Sequence, residues 1–271
     1  MGNERRELSQ IWENGSYEQA FAISREKLDA KPMDYFLLTL HGFSAYQLAA
    51  AQINYFDTQT YLDECIWSLR KARLSKEGAD DPRIPYVLGK AYYLKGAGYA
   101  DQAVKFLEEA QNGDYQTGDL PEYLGLAYTE IHDFRSSVAA LSTVLNANTD
   151  TDEELKSDLV LVAIARSYMA LEEPGLARAY LVRCVETSLD SDTKVAARLL
   201  LAESFAAAGD VAEAEAQYLL LLEAEGENAE AHFQLGELYA AGRDTTRARA
   251  EWRKAWRIDP AHKEARSRLN L

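Results

Sequence analysis

The chain has 271 residues, 47% of them hydrophobic, and 44 acidic against 29 basic side chains give a formal net charge of −15. That length supports one or two domains with packed cores, and the hydrophobic fraction argues for a folded protein rather than disorder. The acidic balance speaks against nucleic acid or an anionic membrane surface as partner, since both need a basic footprint.

No stretch approaches the roughly 18 apolar residues of a membrane span. The N-terminus, MGNERRELSQ, is charged where a secretory signal carries an apolar segment. Arg6 also stands where an N-myristoylation motif needs Ser or Thr. These features point to the cytoplasm. Alternating β-branched runs are almost absent, and helical periodicity starts near residue 3 and runs to the end. The turn-forming stretches ENGSY, LKGAGYA, EEPG, AAGD and AAGRD interrupt it. The expected fold class is all-α, built from short antiparallel helices.

In chain order, NGSYEQAFAISREKLDAKP opens a pattern with Gly15, Tyr17, Ala20 and Pro32. The second segment places His41 on its first helix and Cys65 at the small-residue position of its second. It is longer than the others, in the stretch AAAQINYFDTQTY. Asp57 and Thr58 there read as the N-cap of a helix beginning near Thr60. Tyr55 and Phe56 then fall either in a longer connection after an extended first helix or in an aromatic loop that reaches a partner. The third segment carries Leu88-Gly89-x-x-Tyr92 with Ala103 and Leu107, and GAGY lengthens its turn. The fourth has Leu124-Gly125-x-x-Tyr128 with Ser137 and Leu141, followed by the acidic NTDTDEELKSD from Asn148 to Asp158, read as a solvated loop. Ile164-Ala165-x-x-Tyr168 with Ala177 and Leu181 forms the fifth, and Leu201-Ala202-x-x-Phe205 with Ala214, Tyr218 and Gly226 the sixth. Leu235-Gly236-x-x-Tyr239, Ala248-x-x-x-Trp252 and Pro260 form the seventh.

The pattern has a packing reason. Small residues such as Gly236 and Ala248 let two helix backbones approach, and large ones such as Tyr239 and Trp252 fill the space beside them. One such pair cannot bury its apolar face alone and must stack on its neighbours. These residues resemble the tetratricopeptide repeat, a helix–turn–helix unit of about 34 residues. The resemblance covers essentially the whole chain.

It implies a single α-solenoid domain over 1–271, a right-handed superhelix of about seven repeats. They are placed at 1–34, 35–81, 82–117, 118–157, 158–194, 195–228 and 229–262, with a capping helix at 263–271. A narrower resemblance, over HGFSAYQLAAAQINYFDTQTYLDECIWSLRKA, is to the tetratricopeptide proteins of the spirochaete periplasmic-flagellar collar. It implies a structural subunit packing through convex or terminal surfaces, in the periplasm if an N-terminal anchor is missing from this sequence.

Nothing in the chain reads as an active site. There is no P-loop, no GxGxxG after a strand, no HExxH and no paired-cysteine metal signature, so no cofactor or metal is expected and the protein is not expected to be an enzyme. His132 falls in the turn before Asp133, His232 replaces the bulky first residue of the motif, and His262 falls in a terminal loop. His41 and Cys65 share a repeat, and a His beside a Cys generates thiolate nucleophiles. The helix-contact position of Cys65 instead favours a small buried hydrophobe. Cys184 sits three repeats away, too distant in a solenoid for a disulfide with Cys65. The series Arg243, Arg247, Arg249, Arg253 and Arg257 forms a local basic ridge. It either pairs with Glu251 and the acidic loops or docks an acidic partner or another copy of the chain.

The resemblance places the first helix of each repeat on a concave groove. Its inward positions are Thr39, Phe43 and Tyr46, then Tyr86, Lys90 and Tyr93, then Glu122, Leu126 and Thr129, then Val162, Arg166 and Met169. Ser9, Phe43 and Leu126 stand where the family's clamp for chaperone C-termini has Asn, so that ligand is not expected. The expected function is a protein-interaction scaffold gripping a partner peptide or helix through Phe43, Tyr46, Tyr86, Lys90, Tyr93, Leu126 and Arg166. Toward the C-terminus the floor becomes smaller and more acidic, with Ala206, Ala240, Glu203 and Glu237.

Overall fold

The computed structural model describes residues 2–115, 117–147 and 158–271 and contains, among them, sixteen α-helices and no strand. The chain divides into two compact units at Asp133 and Phe134. The first holds α1 (Gly2–Glu13), α2 (Tyr17–Ala30), α3 (Tyr35–Ala51), α4 (Tyr55–Ala72), α5 (Lys76–Ala79), α6 (Arg83–Leu94), α7 (Ala100–Asn112) and α8 (Leu120–Glu130). The second holds α9 (Phe134–Ala147), α10 (Asp158–Ala170), α11 (Pro174–Thr187), α12 (Ser191–Ala207), α13 (Val211–Ala224), α14 (Ala229–Ala241), α15 (Thr245–Ile258) and α16 (Lys263–Leu269). In chain order these are seven consecutive helix pairs, with the one-turn α5 after the second pair and α16 at the end, the tetratricopeptide arrangement.

The motif residues are the packing residues. Leu88, Ile164 and the small Ala103, Ala177, Ala214 and Ala248 are fully buried, as are Leu107, Leu141 and Leu181. Close approach favours glycine at Gly42, Gly89 and Gly236, and most clearly at the last two. A Cβ on Gly89 would lie 2.5 Å from Leu107 Cγ, and one on Gly236 would lie 2.5 Å from Trp252 Cδ1 and 3.2 Å from the Ala248 carbonyl oxygen. In the second unit Ala165 and Ala202 fill the same position and are also buried.

Five of the seven turns within pairs share one geometry. Gly15, His132, Glu172, Gly209 and Arg243 have φ between 62° and 80°. The following N–H donates back five residues: Asp133 to Tyr128, Glu173 to Tyr168, Asp210 to Phe205 and Asp244 to Tyr239. This closes the orphan carbonyls of the first helix. In these four the acceptor is the aromatic motif residue itself, so one position serves both packing and the turn.

The long second repeat differs from the sequence expectation. Its extra length goes into the helices, 17 residues in α3 and 18 in α4, with only Gln52–Asn54 between them. Asn54, not Asp57 or Thr58, caps α4, accepting from the N–H of Phe56 at 2.8 Å and of Asp57 at 3.4 Å. Thr58 and Thr60 turn their hydroxyls onto the carbonyls of Asn54 and Phe56 one turn back, which marks them as interior helix positions. Tyr55 and Phe56 therefore sit on the exposed first turn of α4 and form no loop. Of the acidic stretch expected as a solvated loop, residues 148–157 lie outside the described residues.

His262 lies in the turn before α16, as expected, and caps that helix, accepting from the Ala265 N–H at 3.3 Å. Glu251 does not serve the arginine ridge. It pairs with His232 at 2.7 Å and Lys254 at 2.7 Å, because His232 sits directly opposite on α14.

Candidate functional site

In the first unit, α1, α3 and α6 present one face of each helix to a cleft of about 410 Å³. On α3 the spacing of Tyr35, Thr39, Phe43 and Tyr46 brings successive turns to the same side, and all four line the cleft. Trp12 contributes from α1, Tyr86 and Arg83 from α6, and Tyr115 from the segment after α7. Large flat side chains with few charged neighbours make this an apolar, aromatic recess, the kind of concavity in which ligands lose most of their hydration.

Two carboxylates fix its walls. Asp81 accepts from Tyr35 Oη at 2.6 Å and from Arg83 Nη2 at 2.7 Å. Burial works to raise its pKa, but the Arg83 and Tyr35 bonds outweigh that and hold it below the usual carboxylate value. The Arg83 guanidinium lies 5.6 Å from the centre of the Phe43 ring. Asp119 has the matching role in the next repeat. It accepts from Tyr86 Oη at 2.6 Å and Lys90 Nζ at 2.7 Å, and it makes no side-chain bond to its own helix N-terminus.

Lys90 sits behind the cleft wall rather than in it. Its ammonium is 5.3, 5.0 and 4.4 Å from the ring centres of Tyr46, Tyr86 and Tyr123, with only 11% of the side chain exposed. Burial works to lower the lysine pKa, but Asp119 and the ring of tyrosines raise it overall, so the group stays charged. Burial also pushes Tyr46 and Tyr86 up, leaving neutral phenols around a fixed cation. Such an arrangement is a cation–π cage closed by a carboxylate.

The predicted groove residues are distributed as follows. Phe43, Tyr46 and Tyr86 line the cleft together. Tyr46 and Leu126 are buried, and Tyr93 is half-buried edge-on to Tyr123 at 5.6 Å. Burial, with Glu130 nearby, pushes the Tyr93 phenol up to about 12. Arg166 is exposed on α10 of the second unit. These side chains are thus engaged by their neighbours to different degrees, and Lys90, expected to grip the partner, is already paired with Asp119.

Asp81, Asp119, Arg83, Trp12 and Tyr115 were not singled out from the sequence. A signal did exist for the acids: Asp34, Asp81 and Asp119 each precede the first helix of a repeat, and each is held from the previous first helix, by Arg5, Tyr35 and Tyr86. Tyr115 lies outside every helix, where periodicity carries no information.

The His41–Cys65 pair does not form a nucleophile. His41 Nδ1 is 3.1 Å from Ser24 Oγ and 3.3 Å from the Phe21 carbonyl, Nε2 is 3.5 Å from Glu64, and the ring stacks on Phe21. Cys65 is fully buried, which pushes its thiol pKa up and disfavours the thiolate. Cys65 and Cys184 are both free thiols. Among the described residues no group of His, Cys, Asp and Glu is arranged to hold a metal ion, and no helix is long and apolar enough to cross a membrane.

No protein-family model matches the chain, and no curated protein matches it either. Solved structures do. YrrB, a TPR protein with an unusual peptide-binding site, is 22% identical over 75% of this chain and 98% of its own, with a TM-score of 0.56. The C-terminal part of a TPR repeat-containing protein from Cytophaga hutchinsonii is 18% identical over 98% of this chain and all of its own, at a TM-score of 0.62. MamA from Desulfovibrio magneticus RS-1 is 13% identical over 67% of this chain and 97% of its own, at 0.56.

Proposed function

From the tetratricopeptide-repeat fold and the aromatic cleft together, we propose that this protein is a non-enzymatic scaffold that binds one segment of a partner protein, an extended peptide or a helix, across α1, α3 and α6. The observation that carries the proposal is the cleft of about 410 Å³ walled by Trp12, Tyr35, Phe43, Tyr46 and Tyr86. Its size falls within the range of about 300–1,000 Å³ typical of ligand pockets. Tyr and Trp supply large contact area at little rotamer cost, which is why they recur at interface hot spots. YrrB, similar in fold, is a peptide-binding TPR protein, and that precedent supports the reading.

Phe43 and Tyr86 contact the partner in this proposal, and Lys90 holds the wall they belong to. Tyr93, half-buried on α6, extends the surface with a smaller contribution. The test is selection of binding peptides from a random displayed library on the immobilised protein, followed by titration of the best. Phe43→Ala combined with Tyr86→Phe should weaken binding at least tenfold, about 1.4 kcal/mol, in a protein that melts as a folded species. Unchanged affinity in that variant, with binding abolished by Arg247→Ala or Arg253→Ala, would place the site on α15 instead.

A further inference from the structure

The second helices of the second unit carry a pattern that the groove proposal does not use. Two, five and nine residues after the buried small residue of each pair lie positions that a helical step of about 100° places on the opposite side, away from the core. On α11 these are Ala179, Val182 and Glu186, and on α13 Ala216, Leu219 and Glu223. On α15 they are Ala250, Arg253 and Arg257. All nine are exposed. The outer face thus changes character within one unit: aliphatic with a terminal acid on α11 and α13, and basic on α15.

The charge of the chain is segregated in the same way. Residues 96–234 contain 26 acidic and 8 basic side chains, and residues 235–271 contain 5 acidic and 9 basic ones. Arg247 is engaged by Asp244 and Glu215. Among the described residues no ion pair engages Arg253, Arg257, Glu186 or Glu223. Beside them Leu219 and Leu220 are 49% and 47% exposed, more aliphatic surface than an isolated outer helix needs.

We infer that this face is a self-association surface, on which α15 of one copy lies against α13 and the edge of α11 of a second, and the reverse. A two-fold contact requires a patch that is complementary to itself, and this face carries both halves. Its arginines meet the partner copy's glutamates, and their methylene stems cover the partner copy's leucines. An unrelated acidic partner would satisfy the arginines of α15 but would leave the aliphatic-acidic strip of α11 and α13 uncovered. The inference is independent of the aromatic cleft, which lies in the other unit.

The experiment is sedimentation equilibrium of the purified full chain over a concentration series at low and high salt. A monomer–dimer equilibrium is expected, with weaker association at high salt because exposed charges are screened beyond about 10 Å at 0.1 M. Arg253→Glu with Arg257→Glu should raise the dimer dissociation constant at least tenfold, and so should Glu186→Arg with Glu223→Arg. Mixing these two variants should restore dimers, since each contact again joins opposite charges. That rescue separates a lost interface from a damaged fold. Leu219→Asp with Leu220→Asp should give a folded monomer. A monomeric parent chain at the highest concentration, or two charge variants that fail to associate with each other, overturns the inference.

Discussion

The first-helix faces of the two units are built on the same positions and filled with opposite chemistry. Two residues after the first motif residue stand Phe43, Lys90 and Leu126 in the first unit, and Arg166, Glu203 and Glu237 in the second. Three residues further on, Tyr46 and Tyr93 correspond to Ala206 and Ala240. In the first unit a cation, Lys90 paired with Asp119, sits among the aromatic rings. In the second, small side chains leave Glu203 half-buried near Glu230, and burial, followed by that like charge, raises its pKa. One repeat pattern therefore supports a wall preorganised around a cation in one place and an electrostatically strained floor in another. The positions that pack the helices are common to both units, while the facing positions are free to differ.

The comparison breaks most severely if the shared packing positions are altered. Ala248→Leu in the second unit should overpack the α14–α15 contact and destabilise by about 1–3 kcal/mol, read as a lowered denaturant midpoint. An unchanged midpoint would show that the pairs do not meet where Gly236 and Trp252 place them. Gly89→Ala tests the first unit in the same way. The new methyl would meet Leu107 Cγ at 2.5 Å and the Leu107 backbone nitrogen at 3.0 Å. Its strain should exceed the helix gain of about 1 kcal/mol that alanine brings over glycine.

Lys90→Met sharpens the contrast between the faces. It removes the cation from a half-buried carboxylate and three rings, and a loss of about 1–2 kcal/mol is expected after allowing for the exposure of Asp119. Hydrogen exchange should rise around α6 and α8. Protection unchanged there would mean that the cage does not organise the wall.

Two titrations give smaller effects. Burial holds His41 neutral, with its pKa below the ordinary histidine value despite the Glu64 and Phe21 bonds. Folded-state stability from this group is thus present above about pH 6.5 and is lost as pH falls, because the unfolded chain takes up the proton. His41→Leu, which restores the residue type found at Leu88 and Leu124, should flatten stability between pH 7 and 5, and equal slopes would remove His41 as the cause. Glu203 has the opposite sign: its raised folded pKa favours the protonated form, so its stabilising contribution is full below about pH 4.3 and disappears as pH rises. Glu203→Gln should accordingly stabilise the protein at pH 7 by a few tenths of a kcal/mol up to about 1 and give no gain near pH 4.

The repeat was legible in the sequence because its cause is local. A small residue facing a large one at a fixed helical offset is needed wherever two helices touch closely, and Leu88, Ala103 and Leu107 or Leu235, Ala248 and Trp252 satisfy that need by position alone. The reversal after Tyr168, Phe205 and Tyr239 follows from the same spacing. What the facing positions do was not legible in this way. The periodicity places Lys90 on the first-helix face, but only the fold brings Asp119 to it from the next repeat and closes Tyr46 and Tyr123 around it. Asn54 rather than Asp57 caps α4 because the tertiary path bends at Gln52–Asn54, which composition cannot distinguish from a bend a few residues later. Sequence by itself determined which residues must touch within a helix pair. The tertiary structure decided which charges and rings meet between pairs, because those distances depend on how one repeat is set against the next.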